Sequence, residues 1–198
     1  MNVQSTETDD KRSAILKATV ELIAQNGFHG TPMSEVARRA GVSAGIIYHY
    51  FKSKDDLILK LHMDIKRRFA EALAAGDDDK MPPYPRFYNL WRNMIRYLTD
   101  NPADRAFISQ FDNSPYDKMC GTELHFTAFA RTVVFIQYGI DAGILKPFPV
   151  MVIMEATFAL ASAVSRLESI GLTIDEELLR TTSKMAWDAI TKHEEPGR

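Results

Sequence analysis

Apolar residues recur at intervals of three and four along almost the whole chain, and this spacing restricts the possible folds more than any other feature. Such intervals place apolar side chains along one face of an α-helix, whereas a half-buried β-strand needs alternation at every second residue. Glycine and proline interrupt the pattern at intervals that suit helices of ordinary length. The sequence therefore predicts an all-α fold.

The interruptions separate nine predicted helices, at residues 9–26, 32–40, 44–51, 53–74, 86–100, 103–113, 121–142, 148–169 and 174–192. Thr31 is expected to cap the second helix, and Ser43 and Ser53 the third and fourth. A hydroxyl at this position accepts a hydrogen bond from a backbone N–H that has no partner within the helix.

The clearest linker is AGDDDKMPPYP at residues 75–85, which contains three aspartates and three prolines. We expect two domains, with the boundary shortly before this linker. They cover residues 9–69 and residues 70–198.

Composition restricts the location and the chemistry. The single cysteine, Cys120, excludes an internal disulfide and a Cys-rich zinc site, and it suits a reducing compartment. The longest stretch without a charged residue, Ala40–Phe51, has twelve residues, whereas a membrane-spanning helix needs about 20. The acidic N-terminus does not resemble a secretory signal, and the five histidines lack the spacing of metal ligands. We therefore expect a cytoplasmic protein with no membrane association, no metal and no cofactor.

Residues 31–57, TPMSEVARRAGVSAGIIYHYFKSKDDL, contain two predicted short helices around a tight turn at Gly41. This arrangement, over residues 32–51, is typical of the helix-turn-helix motif. The second helix of that motif enters the major groove of double-stranded DNA. The segment therefore predicts a DNA-binding function.

The second helix of this segment has two different faces. Ile47 and Phe51 share one face and are expected to pack inward. Residues that suit contact with DNA occupy the rest: Ala44, Gly45, Tyr48, His49 and Lys52. Lys54 adds positive charge. The first turn of the helix that begins near Pro32 offers N–H groups that suit a phosphate, and the Thr31 hydroxyl lies beside them. The alternative is an ordinary helical hairpin in which Tyr48, His49 and Tyr50 are half-buried core aromatics.

Residues 12–57 closely resemble the TetR family of bacterial transcriptional regulators. The matching positions are Gly27, Thr31, Ala37, Ala40, Gly41, Val42, Ser43, Gly45, Tyr48, Phe51, Lys54 and Leu57. The residues that the resemblance implies to contact or orient phosphates are Thr31, Ser43, Tyr48, His49 and Lys54. Ala44, Gly45 and Ile46 would approach the bases. Many members carry a polar or basic residue in place of Ala44, so we expect thymine methyl contacts or DNA shape to contribute more to specificity here.

The run Gly41-Val42-Ser43-Ala44-Gly45 also matches the G-x-S-x-G pattern of α/β-hydrolases, in which the serine is the nucleophile. That pattern requires a β-strand directly before the serine, and residues 35–40 are predicted to be helical. No nucleophile, acid–base pair or metal cluster has the neighbours that catalysis needs. We therefore expect no enzymatic activity.

The C-terminal part is rich in aromatic residues and methionine, a composition that ordinarily fills a helical core. The family resemblance implies in addition an apolar cavity for a small effector. Candidate lining residues are Trp91, Met94, Phe107, Phe111, Phe126, Phe129 and Tyr138. Such a lining favours a hydrophobic or amphipathic effector. Arg131 either binds an anionic effector or, as is more usual for arginine, is solvated or paired within the chain.

The last two predicted helices carry stripes of mostly small residues at helical spacing. They are Met154, Thr157, Ala161 and Val164 in one helix, and Leu178, Met185, Ala186 and Ala189 in the other. The resemblance implies that these helices form a four-helix interface between two protomers. The alternative is burial against the rest of the same chain.

Together these observations predict a homodimeric, ligand-released repressor that binds a palindromic operator. Alternatives are an activator with a different effector response, or a helical interaction module that does not touch DNA. The net charge of -2 does not exclude DNA, because residues 1–68 hold 11 Lys and Arg against 8 Asp and Glu, and the remainder 13 against 18. With so modest a basic surplus, we expect both heads of the dimer to engage together.

Overall fold

The computed structural model describes residues 3–120 and 127–192. Their helices are α1 (Val3–Asn26), α2 (Met33–Ala40), α3 (Ala44–Tyr50), α4 (Lys54–Leu73), α5 (Pro83–Asp100), α6 (Pro102–Asp112), α7 (Ala130–Asp141), α8 (Val150–Leu167) and α9 (Glu176–Ile190). Short 3₁₀ turns lie at Asp117–Met119 and Glu168–Ile170. Within the described ranges, extended pairing is limited to an isolated bridge between Leu145 and Thr191. The predicted all-α fold is confirmed.

Helix ends mostly lie within a few residues of their predicted positions. The cap of α2 is an exception: Pro32 precedes its first residue, and no side chain caps it. The Thr31 hydroxyl instead donates to the Gly27 carbonyl at 2.9 Å, so the predicted cap at Thr31 is wrong. α5 begins at Pro83, since proline fits a first helical turn, where its missing N–H is not needed. The first part of the seventh predicted helix, residues 121–126, lies outside the described residues.

The chain forms two compact units. The first consists of Met1–Lys66 with Pro102–Gly121, and the second of Arg67–Asn101 with Thr122–Arg198. The predicted boundary near residue 69 is close to the first break. Segment Pro102–Gly121 differs, because it follows α5 in sequence but packs with the N-terminal helices.

The first unit is built around α1, which packs against α2, α3 and α6. Its fully buried side chains include Ile15, Leu22, Ile23, Ile47, Phe51, Phe107 and Phe111. The His62 ring of α4 stacks on Phe111, with the ring centroids 3.7 Å apart. α6 therefore supplies part of the core that supports the helix-turn-helix segment.

The second unit is organised by α5, which packs against α8 and α9. Trp91 of α5 is fully buried, and its indole Nε1–H donates to the Thr182 hydroxyl of α9 at 3.2 Å. The Tyr84 and Ser183 hydroxyl oxygens lie 3.1 Å apart. The buried Trp91 and Thr182 therefore satisfy each other's polar groups.

The loop between α4 and α5 is held by a buried ion pair. The Asp77 side chain is 2% exposed and accepts hydrogen bonds from Arg86 Nε and Nη2, at 2.7 and 2.9 Å. Arg131 Nε donates to the same carboxylate at 3.0 Å, which is the internally paired state expected of this arginine. The Arg86 guanidinium carbon lies 4.8 Å from the Phe135 ring centroid. The hydrogen bonds from Arg86 first, and then from Arg131, hold the pKa of Asp77 below its ordinary value against the opposing effect of burial.

Candidate nucleic-acid interface

A sharp turn separates α2 from α3. Gly41 has φ +67°, a left-handed conformation that favours glycine, and the Val42 N–H bonds back to the Ala37 carbonyl at 3.0 Å. Ser43 then caps α3 as predicted, because its Oγ accepts from the Ile46 N–H at 3.4 Å. These local contacts fix where α3 starts and in which direction it leaves the turn.

The two faces of α3 lie as predicted. Ile47, and Phe51 just beyond the helix, are fully buried, whereas Tyr48 is 56% exposed. The other exposed residues of this segment are Ser43, Ala44, Gly45, His49 and Lys52, and Ile46 is partly exposed. Tyr48 and His49 are therefore not core aromatics, and among the three aromatics of that alternative only Tyr50 is partly buried.

Gly45 illustrates how open the start of α3 is. A Cβ added at this position would meet only the Ser43 Oγ, at 3.9 Å. Packing within the chain therefore does not require glycine here. The absence of a side chain leaves the backbone accessible at the exposed end of the helix, which is the property that close approach to DNA needs.

The C-terminal end of α3 is fastened to the first turn of α4. Asp56 Oδ2 accepts from the Lys52 N–H at 2.8 Å and from Lys60 Nζ at 2.9 Å. Lys60 Nζ also donates to the Tyr50 carbonyl at 3.3 Å and lies 5.5 Å from the Phe51 ring centroid. Lys60 first, and then the Lys52 N–H, hold the pKa of Asp56 below its ordinary value. Sequence reasoning missed the role of Lys60, although its i,i+4 spacing from Asp56 on a predicted helix was a usable signal.

Thr31 and Lys54, both expected to contact or orient phosphates, bond instead to backbone carbonyls of the turn before α2. Thr31 is 1% exposed, and its hydroxyl is directed to the Gly27 carbonyl. Lys54 Nζ donates to the Phe28 carbonyl at 2.5 Å. Both side chains therefore stabilise the turn between α1 and α2, which precedes the helix-turn-helix.

The candidate effector residues are not brought together in one place. Trp91, Met94 and Phe129 lie in the hydrophobic core of the second unit. Phe107 and Phe111 belong to the core of the first unit, where they pack with His62. Tyr138 is 58% exposed, and Phe126 lies outside the described residues. Of the predicted lining, Trp91, Met94 and Phe129 thus share the core of the second unit.

The candidate dimer residues divide between buried and exposed faces. In α8, Thr157, Ala161 and Val164 are buried within the chain, and Met154 packs against the same core. Residues covered in this way are unavailable to a second copy. In α9, Met185 and Ala189 are exposed, Leu178 is partly exposed and Ala186 is buried.

Most exposed residues of α8 are apolar, and Glu155 and Arg166 are the two exposed charged residues of this helix. The exposed apolar residues are Val152, Ala156, Ala159 and Leu167, with Ile170 just beyond the helix. By length and composition alone, Val150–Ile170 would suffice to cross a membrane, and only 22% of an apolar 18-residue stretch within it is buried inside the chain. We call the five exposed apolar residues, Val152, Ala156, Ala159, Leu167 and Ile170, the α8 outer face.

The described part of the chain offers no group of three His, Cys, Asp or Glu side chains that could hold a metal ion. The segment before Ser43 is helix α2, so the strand that a hydrolase nucleophile requires does not precede this serine. An exposed, capped helix on a buried support, after a tight glycine turn, instead defines a helix-turn-helix DNA-binding protein.

Comparison with known proteins agrees with this class. Residues 15–61 match the family model described as bacterial regulatory proteins of the tetR family, and residues 82–191 match the tetracyclin repressor-like C-terminal domain. The chain therefore belongs to the TetR family of bacterial transcriptional regulators. An uncharacterized HTH-type transcriptional regulator from Haemophilus influenzae is 25% identical over 185 residues, which cover 92% of this chain and 97% of the relative.

Solved structures share the whole fold. A TetR-family protein from Vibrio parahaemolyticus is 32% identical, with a TM-score of 0.79, and the match covers 92% of this chain and all of that one. A TetR-family regulator from Marinobacter aquaeolei has a TM-score of 0.87 at 22% identity, over 96% of this chain and all of that one. The second similarity shows the fold alone.

Proposed function

We propose that this regulator acts in the cytoplasm as a homodimeric repressor that places α3 of each protomer in the major groove of a palindromic operator. A small hydrophobic or amphipathic effector releases it. The observation that carries the proposal is the exposed face of α3, where Tyr48 and His49 point away from a fully buried Ile47. Tyrosine, histidine and Lys52 donate hydrogen bonds to phosphates, while Ala44 and Ile46 offer apolar contact to thymine methyl groups.

The dimer is supported by the α8 outer face. Contiguous apolar surface on a helix is ordinarily covered by another apolar surface. A second copy of the same face, together with Met185 and Ala189 of α9, provides that cover in a two-fold arrangement. A two-fold dimer in turn matches a palindromic operator with two half-sites.

The effector class is supported by the core of the second unit, where Trp91, Met94 and Phe129 lie together. A ligand that enters among such side chains must be largely apolar. To release DNA, it must bind the low-affinity conformation better than the DNA-binding one, since equal affinity for both shifts no population.

Electrophoretic mobility shift with the intergenic DNA upstream of the protein's own gene tests the proposal. The wild-type protein is expected to give a salt-sensitive, sequence-preferring complex, and Tyr48→Ala a much weaker one. Tyr138→Ala is the matched control, because Tyr138 is 58% exposed against 56% for Tyr48 and lies in the other unit. Equal loss of binding in both variants, or no complex with the wild type, contradicts the proposal.

A further inference from the structure

One segment of the first unit lies, in sequence, between helices of the second unit. Pro102–Gly121 follows α5 in the chain and precedes α7, yet it packs in the first unit. Gln110 Nε2 of α6 donates to the Ile23 carbonyl at 3.1 Å, near the end of α1. Since both ends of the segment continue into the second unit, it is a covalent route between that unit and the helix-turn-helix.

Tyr116, in the turn after α6, joins this segment to the first turn of α4. Its hydroxyl donates to Asp55 Oδ1 at 2.8 Å, in the first turn of α4. Its ring packs against Phe28 and Phe111, with centroid separations of 5.1 and 6.2 Å. Lys54, beside Asp55, donates to the Phe28 carbonyl. The start of α4 is thereby held by two contacts that converge on Phe28.

The start of α4 also holds α3. Asp56, the next residue after Asp55, accepts from the Lys52 N–H, and Lys60 reaches the Tyr50 carbonyl. Hydrogen bonds therefore lead from Tyr116 through the first turn of α4 to the C-terminal end of α3. A displacement of Asp55 would be passed to α3 over a single further residue.

We propose that Tyr116 is a positioning residue for DNA binding: its hydrogen bond to Asp55 holds α4, and through it α3, in the arrangement that fits the major groove. The inference rests on the proposed function and adds a contact within the first unit that holds the reading helix in place. The bond suits this role because a tyrosine hydroxyl donating to a carboxylate is charge-assisted and directional.

The hydroxyl also keeps its proton. Burial first, and then the hydrogen bond to Asp55, raise the pKa of Tyr116 to about 12. The group therefore remains a donor at neutral pH. The Asp55 carboxylate in turn lies at the N-terminus of α4, where the helix dipole favours negative charge.

The test uses a duplex selected from a randomised pool by the full-length wild-type protein, with fluorescence anisotropy at several salt concentrations. Tyr116→Phe keeps the ring and removes the hydroxyl, so we expect the Kd to rise about three- to tenfold. The slope of log Kd against log salt should not change, because no phosphate contact is lost. Tyr88→Phe is the matched control: its hydroxyl donates to Glu176 Oε1 at 2.6 Å in the second unit, and its loss should leave the Kd unchanged.

A double-mutant cycle tests whether Tyr116 and Asp55 act on DNA binding through their shared contact. Asp55→Ala should weaken binding as Tyr116→Phe does, and the double variant should be no weaker than either single one. Additive losses, an unchanged Kd in Tyr116→Phe, or an equal loss in Tyr88→Phe would overturn the inference while wild-type binding still supports the proposed function. Failure of the wild type to select any duplex would overturn both.

Discussion

Replacing Asp77 by alanine should be among the most destabilising single changes in the second unit. The side chains of Asp77 and Arg86 are 2% and 10% exposed, so the variant leaves a guanidinium buried without its carboxylate. Removal of one partner from a buried pair costs about 3–5 kcal/mol. The Phe135 ring beneath Arg86 partly compensates, which places the expected loss near the lower end, at about 3 kcal/mol.

Alanine variants of Arg131 and Asp79 serve as controls for the loss of stability in Asp77→Ala. The Arg131 side chain is 61% exposed, so Arg131→Ala should cost less than about 1 kcal/mol although it contacts the same carboxylate. Asp79 is an exposed aspartate of the same loop, and Asp79→Ala should stay within about 0.5 kcal/mol of the wild type. Urea unfolding followed by circular dichroism at pH 7 measures all three differences.

The pH dependence gives an independent check. Because the pKa of Asp77 is lower in the folded chain than in the unfolded one, its stabilisation is complete above the unfolded value. It is lost as the pH falls through the folded value. The difference between wild type and Asp77→Ala should therefore be largest near pH 7 and shrink below about pH 4. An Asp77→Ala protein as stable as Asp79→Ala, or a gap that stays constant to pH 3, would refute the reasoning.

Three further predictions concern DNA binding, assembly and titration. Lys52→Ala should reduce the slope of log Kd against log salt by about 1. Lys80→Ala removes an exposed loop lysine and should leave the slope unchanged. Equal slopes in the two variants would argue against a phosphate contact at Lys52. Ala159→Glu in the α8 outer face should give monomers in sedimentation velocity. Ser109→Glu, on the exposed surface of α6, should leave the dimer intact. A dimer in both variants would exclude the α8 outer face as the dimer interface. The ultraviolet difference titration of wild type against Tyr116→Phe should have its midpoint at about pH 12. Because this pKa is raised on folding, the stabilisation by the neutral hydroxyl is complete below about pH 10 and declines toward pH 12. A midpoint near 10 would contradict the burial of Tyr116 and its contact with Asp55.

The helix-turn-helix could be predicted in detail because its determinants are local. Gly41 ends α2 through its own backbone conformation, and Ser43 caps the helix that follows it. The burial of Ile47 and the exposure of Tyr48 follow from helical periodicity alone. The error at Thr31 is also local in origin, since its hydroxyl donates to the carbonyl of Gly27, four residues earlier, and does not accept from an N–H of α2.

Features that depend on distant residues could not be predicted in the same way. Phe107 and Phe111 have the pattern of a core helix, but periodicity does not say which core they join. In α8, apolar residues lie on more than one side of the helix, and tertiary packing selects Ala161 and Val164 as part of the inner face. Tyr116 and Asp55 are 61 positions apart, and nothing local relates them.

Hydroxyl-radical footprinting of the wild-type protein on its selected duplex tests the central claim most directly. Two protomers that each place α3 in a major groove should protect two symmetric patches, with centres about 10 base pairs or a multiple of this apart. Both patches should disappear together in Tyr48→Ala. Protection of a single half-site, or none on a duplex that the protein retains, would contradict a dimer that reads a palindrome through α3.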